Sequence, residues 1–248
     1  MIMMSVENVS FVFKNSNLEI MDDVSFSVNK GEFVSIIGPS GFGKSTLLRI
    51  MAGLIEPSSG RVVFMKKEIH SPNSKISFVF QDFALLPWLT NLENVKLGLS
   101  FSRISEAEKN KKASEILERF ALGGFEDHYP NVLSGGMKQR VGIARAIASE
   151  PQVLLMDEPF SSLDELTANT LRSDIIQMLE NKNISVNSVI MVTHNVEEAV
   201  ELSDKIVVLS DKPSRVKKII KIRSGRPRNR KSEQFLELID EIYAVLAQ

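Results

Sequence analysis

Two hydrophobic periods take turns along the chain, and the points where one gives way to the other divide it. Residues 3–13 place apolar side chains at Val6, Val9, Phe11 and Phe13, and Val24-Ser25-Phe26-Ser27-Val28 alternates strictly. A period of two turns one strand face to a core and the other to water, the habit of antiparallel sheet. Later runs are apolar nearly throughout: Phe33–Ile37, Ile76–Phe80, Val153–Met156, Val189–Thr193 and Ile206–Leu209, with Arg61–Phe64 as a shorter strand. Such runs suit strands covered on both faces, as in parallel sheet.

Helical spacing fills the intervals. Leu47, Leu48, Met51 and Leu54 share a face after Lys44, with Gly53 as the cap. Ser105 and Glu108 form a capping box ahead of Ala113, Ile116, Leu117 and Phe120, and Gly123-Gly124 closes that helix. Another helix runs from Ser134-Gly135-Gly136 to about Ser149, where Pro151 marks the exit. A helix over Leu163–Leu179, a short one opened by Asn195 and Glu198, and an amphipathic one over Glu233–Leu246 complete the series. The last carries Phe235, Leu236, Ile239, Ile242, Tyr243 and Leu246 as its apolar stripe. The pattern expects an α/β fold: a mixed sheet core, an N-terminal antiparallel β region, and a helical block over about residues 85–150.

Four of the apolar strands end on residues able to do chemistry: the loop from Gly38, then Gln81, Asp157-Glu158 and His194. Parallel α/β sheets bind ligands beyond the carboxyl ends of their strands. The first loop, Gly38-Pro39-Ser40-Gly41-Phe42-Gly43-Lys44-Ser45-Thr46, fits the phosphate-cradling pattern G-x-x-x-x-G-K-[ST] and sits between a strand and a helix as that pattern requires. Its glycines let backbone N–H groups approach phosphate oxygens, Lys44 offers a point charge to the outer phosphates, and the Ser45 hydroxyl suits Mg²⁺. Asp157 closes an apolar strand where a carboxylate can hold Mg²⁺, and Glu158 beside it can polarise water as a general base. The plainer alternative for this pair is a helix-capping function. Gln81 has an amide fit for a metal or a water, and His194 reads equally as a structural histidine or a phosphate sensor. Ser134-Gly135-Gly136 opens a helix with free N–H groups, a second place for an anion.

Composition narrows the field without redirecting it. The 248 residues carry a net charge of −1, so no global field points to nucleic acid. Cysteine is absent, which removes disulfides and thiol chemistry, and the three histidines are dispersed. No apolar run reaches the ~20 residues of a membrane span, and the N-terminal Met-Ile-Met-Met is too short for a signal segment, so an intracellular protein without its own anchor is expected.

Taken together and in this order, the motifs resemble those of the ATPase subunits of ABC transporters over about residues 3–230. Gly38–Thr46 corresponds to Walker A, Gln81 to the Q-loop, Leu133–Met137 to the signature, Val153–Glu158 to Walker B, Ser161-Ser162-Leu163-Asp164 to the D-loop, and His194 to the switch histidine. The resemblance implies a P-loop NTPase domain over 1–230, with the helical subdomain inserted, and a separate C-terminal helix over 231–248. It implies ATP and Mg²⁺ as cofactors, with Ser45, Gln81 and Asp157 around the metal, and Glu158, His194 and Gln81 in catalysis. ATP lies along residues 38–46 with an aromatic, Phe13 or alternatively Phe11, on the adenine. Ser134, Gly135 and Gly136 act in trans, so the working unit is a head-to-tail homodimer whose two sites Asp164 helps to couple.

Leu85-Leu86-Pro87-Trp88, Met137 in the signature and Ser224-Gly225-Arg226-Pro227-Arg228 resemble the nitrate, sulfonate and taurine importers. That branch implies energy coupling for a small anionic solute at the cytoplasmic face of the membrane. Permease subunits would be received near Leu85, Leu86 and Trp88, an extracytoplasmic binding protein would act indirectly, and no nucleic acid would be bound. Two positions depart from the usual family pattern: Phe42 is bulky and Met137 replaces glutamine. The segment from Lys212 to Lys231 is basic without an acid and reads as a solvated strand face with an exposed tail, or else as a surface for lipid or nucleic acid. The competing functions are a soluble ABC ATPase acting on nucleic acid or in translation, and a nucleotide-binding regulator that does not hydrolyse.

Overall fold

The computed structural model describes residues 1–13, 18–180 and 185–247, without the side chains of 178–180. In chain order come β1 (Ile2–Phe13), β2 (Leu18–Asn29), β3 (Phe33–Ile37), α1 (Lys44–Met51), β4 (Ser59–Phe64) and β5 (Lys67–Glu68). Then follow β6 (Ile76–Val79), α2 (Asn91–Leu97), α3 (Glu106–Arg119), α4 (Gly135–Ala148), β7 (Val153–Asp157) and α5 (Glu165–Glu180). The chain ends with β8 (Ser188–Val192), α6 (Val196–Leu202), β9 (Lys205–Leu209), β10 (Val216–Lys221) and α7 (Glu233–Leu246). Two compact units contain them, Met1–Asn73 with Asn187–Gln248, and Ser74–Val186.

The first unit holds two sheets. One is antiparallel in the order β2-β1-β4-β5, built from the segments whose apolar residues alternate. The other runs β10-β9-β3-β8, with β3 parallel to both neighbours and β10 antiparallel at the edge. Strands β3, β8 and β9 are buried at every position, which explains why they do not alternate. Against this sheet lies a core of Ile37, Val200, Ile206, Val208, Ile220, Phe235, Ile242 and Val245, which joins α6 and α7 to the strands. In the second unit β6 and β7 pair in parallel, and α2 packs on α3 and α4.

Three local expectations shift. Helix α1 ends in a Schellman turn, with Gly53 N–H on Ile50 and Leu54 N–H on Arg49, and this sends Leu54 outward to 48 % exposure. Helix α3 stops at Arg119 with Phe120 as its cap, short of Gly123-Gly124. On α7 the buried stripe is Phe235, Ile242 and Val245, whereas Leu236 and Tyr243 are exposed, so the docked face is rotated from the expected one. The basic tail differs more. Arg226, Arg228 and Arg230 are not solvated but bonded to α6 and Asp204, while Lys217 and Lys221 do lie on the open face of β10 and Lys218 pairs with Glu241 of α7 at 2.8 Å.

At the amino end of β3, Lys205 Nζ reaches Glu32 at 2.7 Å and the Ser27 carbonyl at 2.8 Å, tying three strands together. Burial pushes the Glu32 carboxyl up, but hydrogen bonds from Asn29 and Lys205 outweigh it and leave the pKa below its ordinary 4.5. A group lowered on folding contributes stability in full above its unfolded pKa and loses it as pH falls through the folded value. Glu32→Gln should therefore cost about 1–3 kcal/mol at neutral pH. The gap between the melting curves of variant and wild type should close as pH drops below 4.5. A gap that widens in acid would contradict this.

Candidate functional site

In the first unit the register Ile36 opposite Val192 brings the carboxyl ends of β3 and β8 side by side. Gly38 and its loop therefore leave the sheet next to Thr193 and His194. The loop bends through left-handed glycines at Gly41 and Gly43, φ 80° and 81°. At Gly43 a side chain is excluded twice over, because a Cβ there would stand 2.3 Å from Ile20 Cγ2. Lys44 is 4 % exposed, and its ammonium donates to the carbonyls of Gly38 at 2.9 Å and Pro39 at 2.8 Å. These bonds hold its charge inside the curve of residues 38–44. Phe42, the bulky departure, is accommodated from outside: its carbonyl accepts from Ser214 Oγ at 2.6 Å and its ring lies 5.6 Å from Lys212 Nζ. Thr193 Oγ1 donates to Glu198 and accepts from the Asn195 N–H, so the residues on both sides of His194 are fixed while His194 itself is exposed. Phe13 is 43 % exposed and Phe11 only 9 %, their rings edge to face at 5.1 Å; Phe13 thus has the open aromatic surface.

In the second unit β6 and β7, paired Val79 to Met156, end together. This places Gln81 Nε2 3.4 Å from Glu158 Oε2. Asp157 is 3 % exposed at the end of a fully buried strand. Glu158 turns through φ 44°, a conformation uncommon for glutamate, and this strain bends the chain away just as the carboxylate emerges. In the first unit Ser45 offers a hydroxyl oxygen, and in the second Asp157 and Gln81 offer carboxylate and amide oxygens, each a hard donor of the kind Mg²⁺ takes. Among the described residues no group of three or more His, Cys, Asp or Glu could hold a metal ion.

The signature region begins at Ser134, which caps α4 by accepting the Met137 N–H at 3.3 Å. One of the N–H groups at that helix start is thus taken by its own serine. Gly136 is packed so close that a Cβ would sit 2.3 Å from Thr167 Cγ2. The D-loop residue Asp164 accepts from the Thr167 N–H and hydroxyl, and these bonds hold its carboxyl below the usual range.

Two residues escaped notice in the sequence. Arg145, on α4, donates to the carbonyls of Ala84 at 2.6 Å and Phe83 at 2.8 Å. Asn94, fully buried, bonds both the N–H and the carbonyl of Leu86. They pin the segment after Gln81 while Leu85 and Leu86 lie half-buried and Trp88 stands 68 % exposed. The available hint was a lone arginine in the otherwise apolar stretch Val141–Ile147.

The family model for ABC transporters matches residues 21–161. An uncharacterised ABC transporter ATP-binding protein of Methanocaldococcus jannaschii is 43 % identical over 245 residues, 98 % of this chain and 91 % of that protein. The aliphatic sulfonates import ATP-binding protein SsuB of Bacillus cereus is 40 % identical over 236 residues, 94 % of this chain and 92 % of its own. Among solved structures, the dimeric post-hydrolysis state of the ATP-binding cassette MJ0796 with ADP and Pi aligns at TM-score 0.78 and 35 % identity, covering 90 % of this chain and all of that one. Motifs in the family order, a matching fold, and relatives of this identity along nearly the whole length place the chain in one group: it belongs to the ABC transporter ATP-binding proteins.

Proposed function

We propose that this protein hydrolyses ATP as the energy-coupling subunit of an importer for a small anionic solute. The observation that carries hydrolysis is the pair of strand ends in the second unit, which sets Glu158 beside Gln81 just past a buried Asp157. Residues 38–46 wrap the phosphates, and Lys44 neutralises the outer ones. Mg²⁺, held by Ser45, Asp157 and Gln81, would neutralise charge building on the phosphate oxygens. Glu158 takes a proton from the attacking water, and His194 contacts the γ-phosphate. Phe13 stacks on the adenine. Ser134, Gly135 and Gly136 of one copy close the site of another, which makes the working unit a homodimer; the dimeric cassette to which the fold is similar supports this. Residues 1–230 form the ATPase domain, with the helical subdomain at about 85–150, and 231–248 add the C-terminal helix.

Import, as opposed to work on nucleic acid, is supported by the sulfonate importer subunit among the relatives and by Trp88. A tryptophan exposed on a segment pinned from behind by Arg145 and Asn94 suits reception of an apolar helix from a membrane permease. Among the described residues no helix is long and apolar enough to cross a membrane. On this reading the protein works at the cytoplasmic face, held there by that partner. A solute-binding protein contributes only through the permease.

The test is affinity purification of the tagged full chain from detergent-solubilised native membranes, with nuclease treatment in parallel. An integral membrane subunit should co-purify regardless of nuclease and should be lost from Trp88→Ala. Retention that depends on nucleic acid would favour the soluble alternative instead.

A further inference from the structure

The arginine segment flagged in the sequence has no part in the site as described, yet it reaches the helix that follows His194. Helix α6 has seven residues and no basic residue in its last turn. A helix this short does not hold itself in water, and its final carbonyls need donors from elsewhere. They come from about 25 residues further on. Arg228 Nη1 donates to the carbonyls of Val200 at 2.7 Å and Glu201 at 3.0 Å, and Arg226 Nη1 to that of Leu202 at 2.9 Å. Positive charge there also complements the helix dipole.

Both arginines are themselves held. The Arg228 side chain is 4 % exposed, and its Nε and Nη2 donate to the Ser224 carbonyl at 3.2 and 2.9 Å. Burial and the neighbouring Arg226 push its guanidinium pKa down, so the two cations are placed together against their own repulsion. Arg226 binds both oxygens of Asp204 at 3.1 Å, and Asp204 in turn accepts the Phe33 N–H that opens β3. Arg230 adds an ion pair to Glu201 at 2.6 Å. At the other end of α6, Asn195 accepts from the Glu198 N–H and Thr193 donates to the Glu198 carboxylate, with His194 between the two.

We propose that Arg226 and Arg228 are positioning residues for ATP hydrolysis: by closing the carboxyl end of α6 they fix the helix whose amino end presents His194. The proposal rests on the reading of His194 as a contact to the γ-phosphate. It also assigns these two cations to the protein's own backbone, leaving Lys217 and Lys221 on the face of β10 open to solvent.

The experiment compares Arg228→Met, Arg228→Lys, His194→Ala and the double variant Arg228→Met/His194→Ala in the full chain. It reads ATP affinity, kcat at saturating ATP, and hydrogen exchange of the Val196–Ala199 amides. Arg228→Met should lower kcat about tenfold with ATP affinity within about twofold, and Arg228→Lys should restore part of the loss. In the His194→Ala background it should cost less than about twofold more, because the effects of residues acting as one unit do not multiply. Exchange at the first turn of α6 should speed up at least about tenfold. Losses that multiply, or unchanged exchange, overturn the positioning role while leaving His194 as assigned. An inert His194→Ala alongside faster exchange places the failure in the reading of His194 and removes the catalytic consequence of the clamp. Should Arg228→Met fail to fold, Arg226→Lys and Arg228→Lys carry the same comparison.

Discussion

Lys44→Ala should remove ATP binding, raising the dissociation constant at least about 100-fold, or ~2.7 kcal/mol. The ammonium is buried to 4 % exposure and held by the carbonyls of Gly38 and Pro39, so its charge is confined within the loop and cannot swing into solvent. A cation in such a place acts on phosphate through a low local dielectric. Alanine leaves the loop geometry to Gly41, Gly43 and the Ser214 bond to Phe42, none of which involves the lysine side chain. The fold should therefore survive with a loss of about 1–2 kcal/mol. Titration calorimetry with ATP and Mg²⁺, checked by circular dichroism, measures this. A folded variant with wild-type affinity would show that residues 38–46 are not the phosphate site.

Glu158→Gln should separate binding from chemistry. The amide keeps the shape of the side chain and can still accept from Gln81 Nε2, which lies 3.4 Å from the carboxylate in the wild type. It cannot take a proton from water. Turnover should fall by about 10²–10⁴, the usual worth of a positioned general base. ATP affinity should stay, and a protein that no longer hydrolyses its ligand should accumulate as an ATP-bound dimer, visible by light scattering after size exclusion. A variant that remains monomeric and still hydrolyses ATP would sink the assignment of the base.

Much of this was legible along the chain because it is local. A phosphate loop needs its glycines and lysine within nine consecutive residues, and the pattern 38–46 displays them. Strand ends were visible because β3, β7 and β8 are buried throughout and, apart from Ser35 and Ser188, apolar up to their polar ends. The capping box of Ser105 and Glu108 closes over three residues and formed as expected. What escaped is what depends on distant partners. Hydropathy could not tell that Leu236 and Tyr243 stay in water while Val245 is buried, since the face of α7 is chosen by the core it meets. Charge could not tell a solvated arginine from Arg228, because the carbonyls it caps belong to another segment. Nor could it show Arg145 pinning the chain after Gln81 from about 60 residues away.

The sequence by itself determined the class of fold, the order of motifs and the loop that carries the phosphate-binding pattern, since each rests on residue types within one turn or one strand. Only the tertiary structure decided which glutamine meets Glu158, which aromatic ring is open and which cations are occupied. A hydrogen bond or a buried face needs a partner at a particular place, and the chain finds that partner only by folding.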